Sequence, residues 1–154
     1  MTYKSLPHDE WEDKTLQIVG KITIAFGQLE HVLKLAYKRA IGKPYSEAMY
    51  IIDKISGNPA LADGLRKKFA IQRMDQNLEA EMNKIIDRIL KVNGHRNFLI
   101  HGYWHKRISD DKLLVVKKGC IAFHIDANSL SRLEVLHREI TNIRDTLNKF
   151  TRAK

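Results

Sequence analysis

The chain holds one cysteine, Cys120, and three prolines among 154 residues. A lone cysteine excludes an intramolecular disulfide and any zinc site built on paired cysteines. It reads as a small apolar strand residue in a reducing compartment. Scarce proline leaves room for long helices. No apolar run approaches the roughly 20 residues that span a bilayer. Residues 1–20 carry no signal-peptide block, and Asp9, Glu10, Glu12 and Asp13 argue against a mitochondrial presequence. A soluble, cytoplasmic protein with no membrane partner is expected. There is no His-Glu-x-x-His, no Asp-rich loop, no Gly-rich phosphate loop and no Gly-x-Ser-x-Gly. No metal and no cofactor are therefore expected. Negative charge is also short: 18 acidic against 27 basic residues, a formal net charge of +9. That balance favours a polyanionic partner, nucleic acid first.

What is present is helical periodicity. Leu16, Val19, Ile22, Phe26, Leu29, Leu33, Ala36 and Ala40 recur at steps of three and four, which predicts a long helix ending at Gly42. Pro44 opens a second helix, Tyr45 to about Ile55. Ser56-Gly57-Asn58-Pro59 is a loop signal, and a third helix follows from Pro59 to about Met74 with Leu61, Leu65 and Phe69 inward. A fourth runs from about Asp75 to His101 on Leu78, Met82, Ile85, Ile89 and Val92, with Gly94 tolerated or kinked. Then the pattern turns strand-like: residues 103–108, 113–116 and 120–125, with a turn at Asp110-Asp111. Asp126, Asn128 and Ser129 offer helix caps, and Ser131 to Glu134 matches a capping box. The last helix carries Leu133, Leu136, Ile140, Ile143 and Leu147. The expected fold is mainly α: an up-and-down bundle of about four to five helices, with a small antiparallel β-hairpin insertion between the fourth and last helices. Its first helix should pack on the fourth and the last. Residues 1–154 read as one domain with a short irregular arm at 1–8.

The chemistry gathers in His95-Arg96-Asn97-Phe98-Leu99-Ile100-His101-Gly102-Tyr103-Trp104-His105. Gly102 is expected to close the helix in the left-handed conformation. Asn97 and His101, four apart, share a helix face. Arg96 lies about 140° around from His101, within reach of the same end through its long side chain. Arg96 also falls on the extension of the buried stripe, where a charge needs a partner or an interface. An imidazole that titrates near neutral pH and a guanidinium that grips phosphate in two hydrogen bonds suit phosphodiester chemistry. The plain alternative is a cationic helix end whose side chains complement the dipole. Tyr103, Trp104 and His105 are candidate substrate contacts, the two aromatics as base-stacking platforms or as packing. Lys67 and Lys68, in a basic stretch of the third helix, are candidate phosphate contacts or a solvated face. Glu30 is a candidate accessory acid, or a simple ion pair with Lys34.

Arg96-Asn97, three residues, His101 and then Gly-aromatic-aromatic resemble the signature of the HEPN superfamily: an Arg, a polar residue, a short spacer and a His. The resemblance covers the whole chain as a helical plan but only this run as a motif. It implies a metal-independent endoribonuclease acting on RNA, with Arg96, Asn97 and His101 catalytic. It further implies a homodimer that joins two motifs across a two-fold axis, in a toxin, antitoxin-partnered or defence setting. The competing expectations are a non-catalytic interaction module bound to another protein, and a basic nucleic-acid-binding protein. The positioned histidine separates them, because binding alone needs cations but no proton carrier.

Overall fold

The three-four stripes become helices, and their apolar faces decide how the helices stack. The structure is a computed structural model that describes residues 3–5, 12–71, 75–107, 113–117, 120–125 and 129–152. In chain order the elements are β1 (Tyr3–Ser5), α1 (Asp13–Ile41), α2 (Tyr45–Asp53), α3 (Gly57–Ile71), α4 (Gln76–His101), β2 (Tyr103–Arg107), β3 (Leu113–Lys117), β4 (Cys120–Ile125) and α5 (Ser129–Arg152). Among the described residues five helices form the body, and three of the four strands of the small antiparallel sheet lie between α4 and α5 in the chain.

Helix α1 starts with Asp13 in its first turn and stops where Gly42 turns left-handed at φ 62°. The Gly42 N–H closes on the carbonyls of Lys38 and Arg39, an ending that glycine permits without a Cβ penalty. Val19, Ile22, Phe26, Leu29, Leu33 and Ala36 are buried as the periodicity requires, but Leu16 is 42% exposed. Thr15 and Ile18 take the buried face there instead. Helix α1 packs most extensively on α5 and next on α3, and only lightly on α4. The expected contacts of the first helix with the last and with the fourth are both made, the one with α5 far the more extensive. The C-terminal ends of α1 and α5 lie side by side. Arg39 Nη1 donates to Thr151 Oγ1 at 2.8 Å, and Arg144 bonds Gln28 farther back, so the two helices run parallel.

Helix α4 opens on Asp75, whose carboxylate accepts from the Asn77 N–H at 2.8 Å, a standard N-cap. It packs on α3 and α5 and runs antiparallel to α5. Arg88 Nε donates to Glu139 Oε1 at 2.8 Å, while Arg88 Nη2 reaches Asn142 Oδ1. Met82, Ile85, Ile86, Ile89 and Val92 enter the core. Ile22, Leu33, Leu65, Met82, Ile140 and Leu147 are among its fully buried side chains, each contributing about 1.5–3 kcal/mol by burial. Gly94 leaves α4 unbroken, on an exposed face with open space around it. Gly64 instead serves close approach, since a Cβ there would stand 3.1 Å from the Tyr37 ring.

Three expectations need correction. The arm is not wholly irregular: Tyr3–Ser5 pairs antiparallel with β2, Lys4 opposite Lys106 and Ser5 opposite His105. The sheet therefore has four strands in the order β1-β2-β3-β4. Short polar strands are invisible to periodicity, and this one forms because β2 offers an open edge. Gly102 is extended (φ −81°, ψ 154°) rather than left-handed, because the chain passes directly from α4 into β2. Its N–H still bonds the Phe98 carbonyl at 2.9 Å. Helix α5 begins at Ser129, so Ser131 sits inside it rather than capping it. The turn at Asp110-Asp111, the end of the third helix at Arg73 and Met74, and the caps Asp126 and Asn128 lie outside the described residues. Among the described residues no helix is long and apolar enough to cross a membrane.

Candidate functional site

The end of α4 presents two different faces. One carries Arg96 toward α1. Its guanidinium lies over the Phe26 ring, 5.2 Å from Cζ to the ring centroid. Its Nη1 donates to Asn97 Oδ1 at 3.1 Å, and its Nε is buried with no acceptor among the described residues. Arginine carries five N–H donors, so most of this fork is unspent. A buried N–H left unpaired costs about 1–3 kcal/mol. Asn97 is half-buried and held by the same bond. His101 closes the helix as an exposed imidazole, one turn beyond Asn97 on the same face. The three motif residues thus share one helix end, with the proton carrier in solvent and the cation resting on an aromatic platform.

The residues after the motif divide. Trp104 is 5% exposed, and its indole Nε1 donates to the Leu99 carbonyl at 3.1 Å. It fastens the first residues of β2 to the last turn of α4. This corrects its expectation as a base-stacking contact, since a buried ring has no face to offer. His105 is half-buried on β2, opposite Ser5 and Leu114. Tyr103 pairs with Val116 through the backbone, and its side chain lies outside the described residues.

The other candidates sit elsewhere. Glu30 is 3.4 Å from Lys34 Nζ and accepts from Asn58 Nδ2 at 3.4 Å, which ties α1 to the start of α3. Lys67 is exposed and 3.7 Å from Asp63. Lys68 borders a hollow with Tyr37, Ile41 and Ile71 near the C-terminal end of α1. Tyr37 is eleven residues beyond Phe26, about 16 Å along the helix axis. The two lysines therefore flank the opposite end of the bundle from His101. Compared with known proteins, the chain matches no family model, no curated protein and no solved structure. The site's reading accordingly rests on its own geometry.

The second face of α4 carries what periodicity did not reveal. A groove of about 350 Å³ runs between α4 and α5. Val92, Leu99 and Leu133 form its buried floor; Phe98 and Leu136 form half-buried walls. Val135, 55% exposed, stands at the rim. Around it are Lys91, Arg132 and the Arg88–Glu139 pair. The hydrogen bond from Arg88 is the main cause that holds the Glu139 carboxyl below its ordinary range. His95 also lines the groove, and burial first, then the charge of Lys91, lowers its pKa. These residues come from segments some 40 positions apart, and no local pattern joins them. Among the described residues no group of three His, Cys, Asp or Glu side chains is gathered to hold a metal ion.

Proposed function

We propose that this chain is a metal-independent endoribonuclease whose working site is the α4 end, completed by the same residues of a second copy across a two-fold axis. The observation that carries the reading is the exposed His101 one turn beyond a hydrogen-bonded Arg96–Asn97 pair with unspent donors. The resemblance of this run to the HEPN signature points the same way. In RNA the ribose 2′-hydroxyl is an internal nucleophile, so the protein need supply only proton transfer and charge stabilisation. His101 removes the 2′-hydroxyl proton in one protomer, and its counterpart returns a proton to the leaving 5′-oxygen. The 2′-oxygen bonds to phosphorus as the P–O5′ bond breaks, leaving a 2′,3′-cyclic phosphate. Arg96 turns its free donors to the non-bridging oxygens, and Asn97 steadies the guanidinium.

A non-catalytic interaction module is the second reading. It is favoured by the retracted pose of Arg96, whose Nε is shielded against α1. One experiment separates the two. Purified protein is incubated with end-labelled single-stranded RNA in excess chelator, beside His101→Ala. Metal-free cleavage that falls about a hundred- to ten-thousand-fold in the variant is expected. Cleavage that persists in His101→Ala, or that requires magnesium, removes the mechanism. Absence of cleavage with any RNA leaves the module reading.

A further inference from the structure

The α4–α5 groove lies outside the proposed nuclease site. Its lining residues on α4 are Arg88, Lys91, Val92, His95, Phe98 and Leu99, whereas Arg96 turns to Phe26 on α1. We propose that this groove binds a small amphipathic anion, an acyl carboxylate with a medium-length alkyl chain. Three features select that occupant. The first is volume: about 350 Å³ falls at the lower end of the roughly 300–1,000 Å³ of small-molecule sites. The second is lining. Val92, Leu99, Leu133, Phe98 and Leu136 are aliphatic or aromatic, so the floor rewards hydrocarbon, with His95 a polar side chain beside it. Val92 to Leu99 spans about 10 Å along the helix, a length that suits an extended chain.

The third feature is charge. Glu139 is committed to Arg88 at 2.8 Å, so this carboxylate and guanidinium offset one another. Lys91 and Arg132 are both exposed at the rim and leave it cationic. An anionic head on an apolar tail meets both halves of this surface, the tail in the floor and the head between the two cations.

The test uses decanoate as the probe, kept monomeric, with the full chain. Calorimetry should show saturable binding in the tens-of-micromolar range. Backbone NMR shifts should concentrate on Val92, Phe98, Leu99, Leu133 and Leu136. Decyltrimethylammonium, with the same tail and the opposite head charge, should bind at least tenfold more weakly. The exposed-site double variant Lys91→Glu/Arg132→Glu should keep its far-ultraviolet spectrum and lose decanoate affinity by tenfold or more. Leu136→Trp, which fills the groove from a half-buried wall, should also abolish binding while the charge pattern stays intact. The assignment is overturned by equal binding of the cationic amphiphile, by affinity unchanged in either variant, or by shifts confined to another surface. It is equally overturned if decanoate binds only as vesicles or micelles. A groove that ignores decanoate but takes up a designed acidic amphipathic helix belongs to a protein partner, which also overturns it. None of these outcomes depends on RNA cleavage, so this inference and the nuclease reading fail separately.

Discussion

Phe26 should be worth more to this protein than its hydrophobic burial. It is 3% exposed in the middle of α1, and the Arg96 guanidinium lies 5.2 Å from its ring centroid. Replacing it with Leu keeps an apolar side chain at the position but removes the aromatic face. The change in shape alone costs about 1 kcal/mol, as core swads of similar bulk do. A cation over a ring contributes about 0.5–1 kcal/mol when exposed and about 2 when desolvated. Arg96 is half-buried, with a shielded Nε, so about 1–1.5 kcal/mol is expected here. Phe26→Leu should then destabilise by about 2–2.5 kcal/mol, combining the two effects. Arg96→Met retains the aliphatic stem and deletes the charge. Urea unfolding of the two single variants and the double variant gives the coupling energy directly. A coupling of about 1–1.5 kcal/mol is expected. Additivity within about 0.3–0.5 kcal/mol, the ordinary result for independent sites, would refute the platform. RNA cleavage should follow the same ordering, with Phe26→Leu slowed, because a guanidinium without its platform is no longer aimed.

Three further outcomes are expected. Gly94→Ala should stabilise by about 0.5–1 kcal/mol in urea titrations, since glycine costs roughly that much inside a helix and its added Cβ meets open space; a loss of stability would show that α4 needs the glycine. His95, lowered by burial and Lys91, resists protonation in the folded state. The unfolded chain takes up that proton first, so stability should fall as pH drops through the ordinary histidine value of 6.5 toward the lower folded value. His95→Gln should flatten this segment of the stability–pH curve; an unchanged slope would assign it to another group. Glu139 is lowered chiefly by its bond from Arg88, so its contribution is present above the ordinary carboxylate value and fades as pH falls through the folded one. With side chains 35% and 40% exposed, the pair is worth about 0.2–1 kcal/mol after screening, and Glu139→Gln should remove that acid-side loss in thermal melts across pH.

The helices were legible because burial imposes a period. Val19 to Ala36, Met82 to Val92 and Ile140 to Leu147 are spaced by the turn of the helix, and each stripe found its core. What the stripes lacked was direction. An apolar face says that a helix packs; the expected contact of the first helix with the last is the one α1 and α5 make, while the packing of α1 on α3 was not visible in either sequence segment. The first strand escaped for a related reason. Tyr3-Lys4-Ser5 has no apolar alternation, and its existence depends on the partner edge of β2 rather than on its own residues.

The candidate site shows the same division at the level of single residues. Arg96, Asn97 and His101 were found together because one helix carries them, and helical spacing is enough to place them at one end. The ring beneath Arg96 was not found, since Phe26 stands 70 positions away and looks like any other core aromatic. The two readings of Trp104, stacking and packing, could not be separated, because a tryptophan beside a motif carries the same letter whether it faces solvent or donates to Leu99. The groove was missed because its cations belong to α4 and α5 separately, and only the antiparallel packing fixed by Arg88, Glu139 and Asn142 aligns them. Helix α4 therefore carries two separate chemistries on adjacent residues. His95 faces α5 in an apolar groove, and Arg96, about 100° around, faces α1. A helix can do this because consecutive residues look in different directions, so the residue types inform only when the partner helix on each side is known.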